Sequence, residues 1–131
     1  MCNYEEYISP NKKHKVCFIY EGEIRFGPNF FKIVVDDQII PKRIFGLEYK
    51  WHPESIFLAL QEWLTIDYQK GPITALTLID LEYRRIAKIS VANNGFIKPI
   101  RFENNLVIFE KIYLDKSIEY EIYLNEIYNW E

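Results

Sequence analysis

Pro53-Glu54-Ser55-Ile56-Phe57-Leu58-Ala59-Leu60-Gln61-Glu62-Trp63-Leu64-Thr65-Ile66-Asp67 is the stretch on which the fold class turns. Pro53 suits the first helical position, where an N–H has no intrahelical acceptor, and Glu54 sets negative charge at the positive end of the dipole. Ile56, Leu60, Trp63, Leu64 and Asp67 follow at i, i+4, i+7, i+8 and i+11, and Phe57 widens the apolar stripe. Ser55, Gln61 and Glu62 would then face water. Gly71-Pro72 closes the segment, because Gly accepts positive φ and Pro cannot continue a helix. The pattern predicts an amphipathic helix over 53–67, about four turns long. Its single apolar face requires a sheet to cover it.

The flanking sequence predicts that sheet. Val16 to Tyr20 is an apolar run, and Glu23 to Phe26 alternates polar with apolar residues. Phe30 to Val35 favours β structure, and Asp36-Asp37 reverses the chain into Gln38-Ile39-Ile40, a return kept short or at an edge by Pro41. Ile73 to Ile79 reads as a central strand covered on both faces. Arg84 to Ala92 alternates, Asn94-Gly95 is a hairpin signal that pairs Phe96–Phe102 back onto it, and Leu106 to Leu114 follows the Asn104-Asn105 reversal. Ile118 to Leu124 has a period of two. The expected class is α+β: a predominantly antiparallel meander of about eight strands packed on one amphipathic helix.

The 131 residues suit a single domain, with residues 1–14 as an N-terminal arm around Ser9-Pro10-Asn11. A composition that is 49% hydrophobic and 27% charged excludes a disordered chain. Charge is unevenly placed within a net −3. Residues 11–50 hold eight basic and five acidic side chains, whereas residues 103–131 hold seven acids against Lys111 and Lys116. A phosphate binder would show the opposite balance, so a basic partner is expected and nucleic acid is not. Cys2 and Cys17 form no CxxC pair or disulfide framework, the N-terminus lacks a secretory pattern, and no apolar stretch is long enough for a membrane span. The expectation is a cytoplasmic protein without membrane attachment.

Chemical motifs are sparse. His14 and His52 have no HxH or HExxH spacing, so no metal is expected, and His52 beside Pro53 reads as a cap or turn residue. Gly22, Gly27, Gly46, Gly71 and Gly95 never cluster into a phosphate loop, and no GxSxG surrounds a nucleophile. No cofactor and no catalytic residue are expected. Arg84, Arg85 and Lys88, with the mixture around Arg25, Phe26 and Lys32, could form a stacking surface for nucleic acid, but alternate basic residues also keep an outer strand face wet.

The last strand carries the binding expectation. With Ile118, Tyr120, Ile122 and Leu124 turned inward, Glu119, Glu121 and Tyr123 form an exposed row, extended by Asp115 and Glu126. Spaced carboxylates with an aromatic suit a Lys/Arg-rich protein surface.

The run Trp51-His52-Pro53-Glu54-Ser55-Ile56-Phe57-Leu58-Ala59-Leu60-Gln61-Glu62-Trp63, followed by Gly71-Pro72-Ile73-Thr74-Ala75-Leu76, resembles small immunity proteins encoded beside bacterial polymorphic toxins, including those of contact-dependent growth inhibition. The resemblance spans residues 45–113 and lies in the layout of helix and meander. It implies a cytoplasmic inhibitor that binds a cognate toxin domain, often a nuclease, and blocks its active site or substrate groove. The alternative expectation is a small ligand-binding or enzymatic domain with a pocket between sheet and helix, lined by Trp51, Trp63 and tyrosines.

Overall fold

A computed structural model describes residues 5–25, 27–67, 69 and 71–131. The expectations for Cys2 and Phe26 lie outside these residues. Among the described residues, eleven strands run in order: β1 (Glu5–Ile8), β2 (Lys15–Glu23), β3 (Asn29–Val35), β4 (Gln38–Ile39), β5 (Ile44–Trp51), β6 (Phe57–Trp63), β7 (Ile73–Asp80), β8 (Arg85–Asn93), β9 (Phe96–Glu103), β10 (Leu106–Ile112) and β11 (Ser117–Tyr123). All pairings are antiparallel, in an eight-stranded sheet ordered β1-β2-β3-β5-β6-β7-β8, with β4 beside β3, and a three-stranded sheet ordered β11-β10-β9. Leu124–Glu126 adds one 3-10 turn.

The expected amphipathic helix does not form, and the class is all-β rather than α+β. Phe57–Trp63 is instead the central strand β6, paired with β5 and β7 in full register to the latter. Pro53 and Glu54 belong to the turn that precedes it, in which Ser55 adopts φ 61° and its N–H bonds to the His52 carbonyl. Both faces of β6 are buried, which explains the misleading pattern. Leu58 and Leu60 enter one core with Phe18, Phe31, Ile33, Phe45 and Ile79, while Ala59 enters a second with Leu76, Leu78, Ile97, Val107 and Phe109. A strand covered on both sides has no polar alternation to betray its period, so Leu, Ala, Gln and Glu read as helix formers until tertiary burial overrides them.

The second correction concerns Asn94-Gly95. Asn94 takes the positive φ expected of it, at 61°, but Phe96–Glu103 pairs with β10 and not with β8. The turn is a corner between sheets. Gly95 N–H bonds to the Pro72 carbonyl at 3.0 Å, and a Cβ on Gly95 would meet the Tyr113 ring at 2.7 Å. From the expected N-terminal arm, Glu5–Ile8 pairs with β2 as an outer strand.

Beyond the corner, β9 is an edge of the small sheet and lies against β5, β6 and β7. Its edge needs hydrogen-bond partners, because buried backbone groups are rarely left unpaired. Gln61 and Thr74 supply them. The Gln61 amide donates to the Ile97 carbonyl at 2.8 Å, the Ile97 N–H donates to Thr74 Oγ1 at 2.8 Å, and the same hydroxyl donates to the Gly95 carbonyl at 3.0 Å. Gly46 is required opposite, since a Cβ there would collide with the Gln61 amide. Gln61, expected to face water, therefore joins the two sheets. Thr74→Val keeps the side-chain shape but strips both bonds from a fully buried position; the expected result is a loss of about 2–3 kcal/mol, read as a lower urea midpoint at unchanged slope.

Candidate functional site

The β10–β11 hairpin carries all five residues expected to bind a partner. Its register runs from Leu106↔Tyr123 to Ile112↔Ser117 without a shift, so opposed residues share a face. One face holds Val107↔Ile122, Phe109↔Tyr120 and Lys111↔Ile118. Val107 and Phe109 belong to the second core, and the Phe109 and Tyr120 rings stack at 5.6 Å. Lys111 lies 4.8 Å from the Tyr120 ring centre and donates to the Val91 carbonyl at 2.8 Å, so its charge is held on the inner side.

The other face holds Glu119, Glu121 and Tyr123, all exposed, with Glu119 opposite Glu110 and Glu121 opposite Ile108. Like charges directly opposed on one face repel, so Glu110 and Glu119 work against the sheet locally. Lys98 and Arg101 on β9 oppose Glu110 and Ile108 in turn, which grades the face from basic at β9 to acidic at β11. Asp115 sits in the hairpin turn and Glu126 in the 3-10 turn at the opposite end of β11; both are exposed, and neither joins the row itself. A groove of about 1000 Å³ adjoins the turn, lined in part by Asn93, Phe96, Tyr113, Asp115, Lys116 and Tyr120.

The basic residues weighed for nucleic acid are largely committed within the fold. Arg84 pairs with Asp36 at 2.9 Å, Arg85 pairs with Asp80 at 3.0 Å and lies 4.7 Å from the Trp130 ring centre, and Lys32 reaches Glu21 at 3.3 Å. Asp36 gathers a small network. Burial raises its carboxyl, but donation from His14 at 2.6 Å, from the Lys15 N–H and from Arg84 outweighs that and holds the group below its ordinary value. His52 accepts the Glu54 N–H at 3.1 Å in the turn before β6, and burial lowers its ring pKa against the raising charge of Glu54.

Trp51 and Trp63 do not line a common pocket. Trp51 packs with Tyr49 beside the first core, while Trp63 meets Phe96 at 5.7 Å on the other side of the sheet. With no helix over 53–67, the expected sheet–helix cavity has no second wall. Among the described residues, no group of three His, Cys, Asp or Glu is placed to hold a metal ion. No helix among them is long and apolar enough to cross a membrane. Cys17, buried in β2, is disulfide-bonded, whereas the sequence indicated no disulfide framework.

Two features escape a reading of the sequence. Glu62, expected on a wet helix face, is 5% exposed and accepts hydrogen bonds from Thr77 Oγ1 at 2.6 Å and Arg43 at 3.2 Å. The other is the backbone edge of β11, which no strand pairs among the described residues; it follows from sheet order and has no signature in residue types. No family model, curated protein or solved structure matches the chain.

Proposed function

We propose that this chain is a non-catalytic binding protein of the immunity type, which neutralises a cognate toxin domain in the cytoplasm. Its outer β11 face, with Glu119, Glu121 and Tyr123 flanked by Asp115 and Glu126, covers the active site or substrate groove of a basic nuclease. One observation carries this reading. Among the described residues, none of those four carboxylates has an ion-pair partner; Glu6, Glu23, Glu48, Glu54, Asp67, Glu82 and Glu110 lack one too, but Glu119 and Glu121 stand at alternate positions of one strand face with Glu110 directly opposite Glu119, which concentrates the unneutralised charge there. Acids neutralised at home serve the fold; an exposed row left unneutralised repels itself and gains when a cationic surface arrives. The helix in the immunity-like layout is replaced by β6, so support rests on this face and on the antiparallel meander.

Calorimetry of the full chain with the toxin domain encoded beside it, at low and at raised salt, tests the proposal. Binding should weaken as salt rises, because exposed charge pairs are screened within about 10 Å at 0.1 M. E119Q/E121Q should weaken it roughly three- to tenfold, mainly through slower association, while leaving the urea midpoint unchanged or slightly higher. Absence of binding removes the toxin pairing, and salt-independent binding removes the acidic face.

A further inference from the structure

Two backbone bonds fix the phase of the β10–β11 ladder. Tyr113 N–H donates to the Lys116 carbonyl at 2.7 Å at the hairpin end, and Leu124 N–H donates to the Asn105 carbonyl at 2.8 Å at the other. Opposed residues in an antiparallel pair alternate between those that exchange both bonds and those that exchange none. Stepping by two from either end reaches the same set: Lys116, Ile118, Tyr120, Ile122 and Leu124 turn their backbone groups toward β10. Ser117, Glu119, Glu121 and Tyr123 turn theirs away, and β11 is the last strand of its sheet. The residues with outward N–H and C=O groups are thus the residues that carry the unpaired carboxylates and the exposed tyrosine.

This edge differs from that of β8, the end strand of the large sheet. There, Ile86 exchanges both backbone bonds with Glu131 at 2.8 and 3.3 Å, and Asn129 donates to the Lys88 carbonyl at 2.9 Å. The chain's own tail covers β8. No described segment covers β11, and a second copy of β11 would bring glutamates against glutamates.

We propose that β11 is an augmentation edge, which accepts one added strand from a basic partner. The proposal rests on the binding role given to this face and specifies how the partner engages it. Lys or Arg at alternate positions of the added strand lie beside Glu119 and Glu121, where charge is unpaired. Its intervening residues, apolar or β-branched, cover Ile118, Tyr120 and Ile122, whose inner face is left half-open, Tyr120 being 36% exposed. Main-chain bonds would supply affinity and the alternation would supply specificity, as in other strand-addition complexes.

Amide hydrogen exchange on the full chain tests this with three short synthetic peptides: one alternating Lys/Arg with Val/Thr, one of the same composition with its basic residues grouped at one end, and the alternating peptide N-methylated along its bonding edge. The alternating peptide should slow exchange at Ser117, Glu119, Glu121 and Tyr123 by about tenfold or more, and the other two should not. Equal binding of the alternating and N-methylated peptides, or binding without protection of those amides, overturns augmentation. If E119Q/E121Q still weakens that binding, the acidic-face reading survives the failure. If no peptide binds, or if binding ignores both substitutions, the augmentation edge and the acidic face fall together.

Discussion

Arg43→Ala is expected to destabilise the fold by about 3 kcal/mol, although Arg43 lies outside any strand. Its guanidinium reaches Glu62 at 3.2 Å and the Glu131 side chain at 2.9 Å, and only 18% of the side chain is exposed. Glu62, next to the C-terminal end of β6, is buried on the face that Leu58 and Leu60 share and accepts from Thr77 of β7. Removal of the cation leaves a carboxylate that water cannot reach, with one hydroxyl to solvate it. The loss should be large because the remaining charge is stranded, not because the pair is strong. A cycle separates the two causes. Arg43→Met combined with Glu62→Leu should recover most of the stability lost in Arg43→Ala, with urea midpoints as the readout. If Arg43→Ala shifts the midpoint no more than an ordinary surface substitution, Glu62 is solvated and β6 is not central.

The contrast with the helical reading shows where sequence information stops. Asp36-Asp37 is legible because turn chemistry is local: both residues take positive φ, at 50° and 67°, and β4 returns along β3. Ile73–Asp80 and Ser117–Tyr123 are legible because one is almost wholly apolar and β-branched while the other alternates strictly. Phe57–Trp63 is not, since Leu58 and Leu60 enter one core while Ala59 enters another, and the second exists only once the small sheet has folded over the large one. The Asn94 turn was legible as a reversal, but a dipeptide cannot specify which strand the returning chain will join. For the site, the period of β11 places Glu119, Glu121 and Tyr123 together from sequence alone. The exposed edge beside them depends on strand order, set by contacts far apart in the chain.

Phe45→Ala is expected to cost about 3–5 kcal/mol, and its effect should be uneven across the large sheet. Phe45 is fully buried and joins β3 to β5 through the only backbone pairing described between those strands, Phe31↔Phe45. The β5–β6 ladder then shifts register between Phe45 and Tyr49, so the backbone offers little cross-linking on either side of that residue. What holds the β1–β4 part against the β5–β8 part is therefore side-chain packing in the first core, where Phe18 and Phe31 meet edge-on at 6.2 Å and Leu58, Leu60 and Ile79 close the far wall. Truncation at Phe45 opens a cavity at this junction, and the sheet has few ladder bonds there to resist separation. Native-state exchange should show β2 and β3 amides losing protection before those of β6 and β7, which keep their full ladder. Uniform loss of protection across both groups would mean that the two parts open as one unit, with the Phe31↔Phe45 junction as strong as the ladders around it.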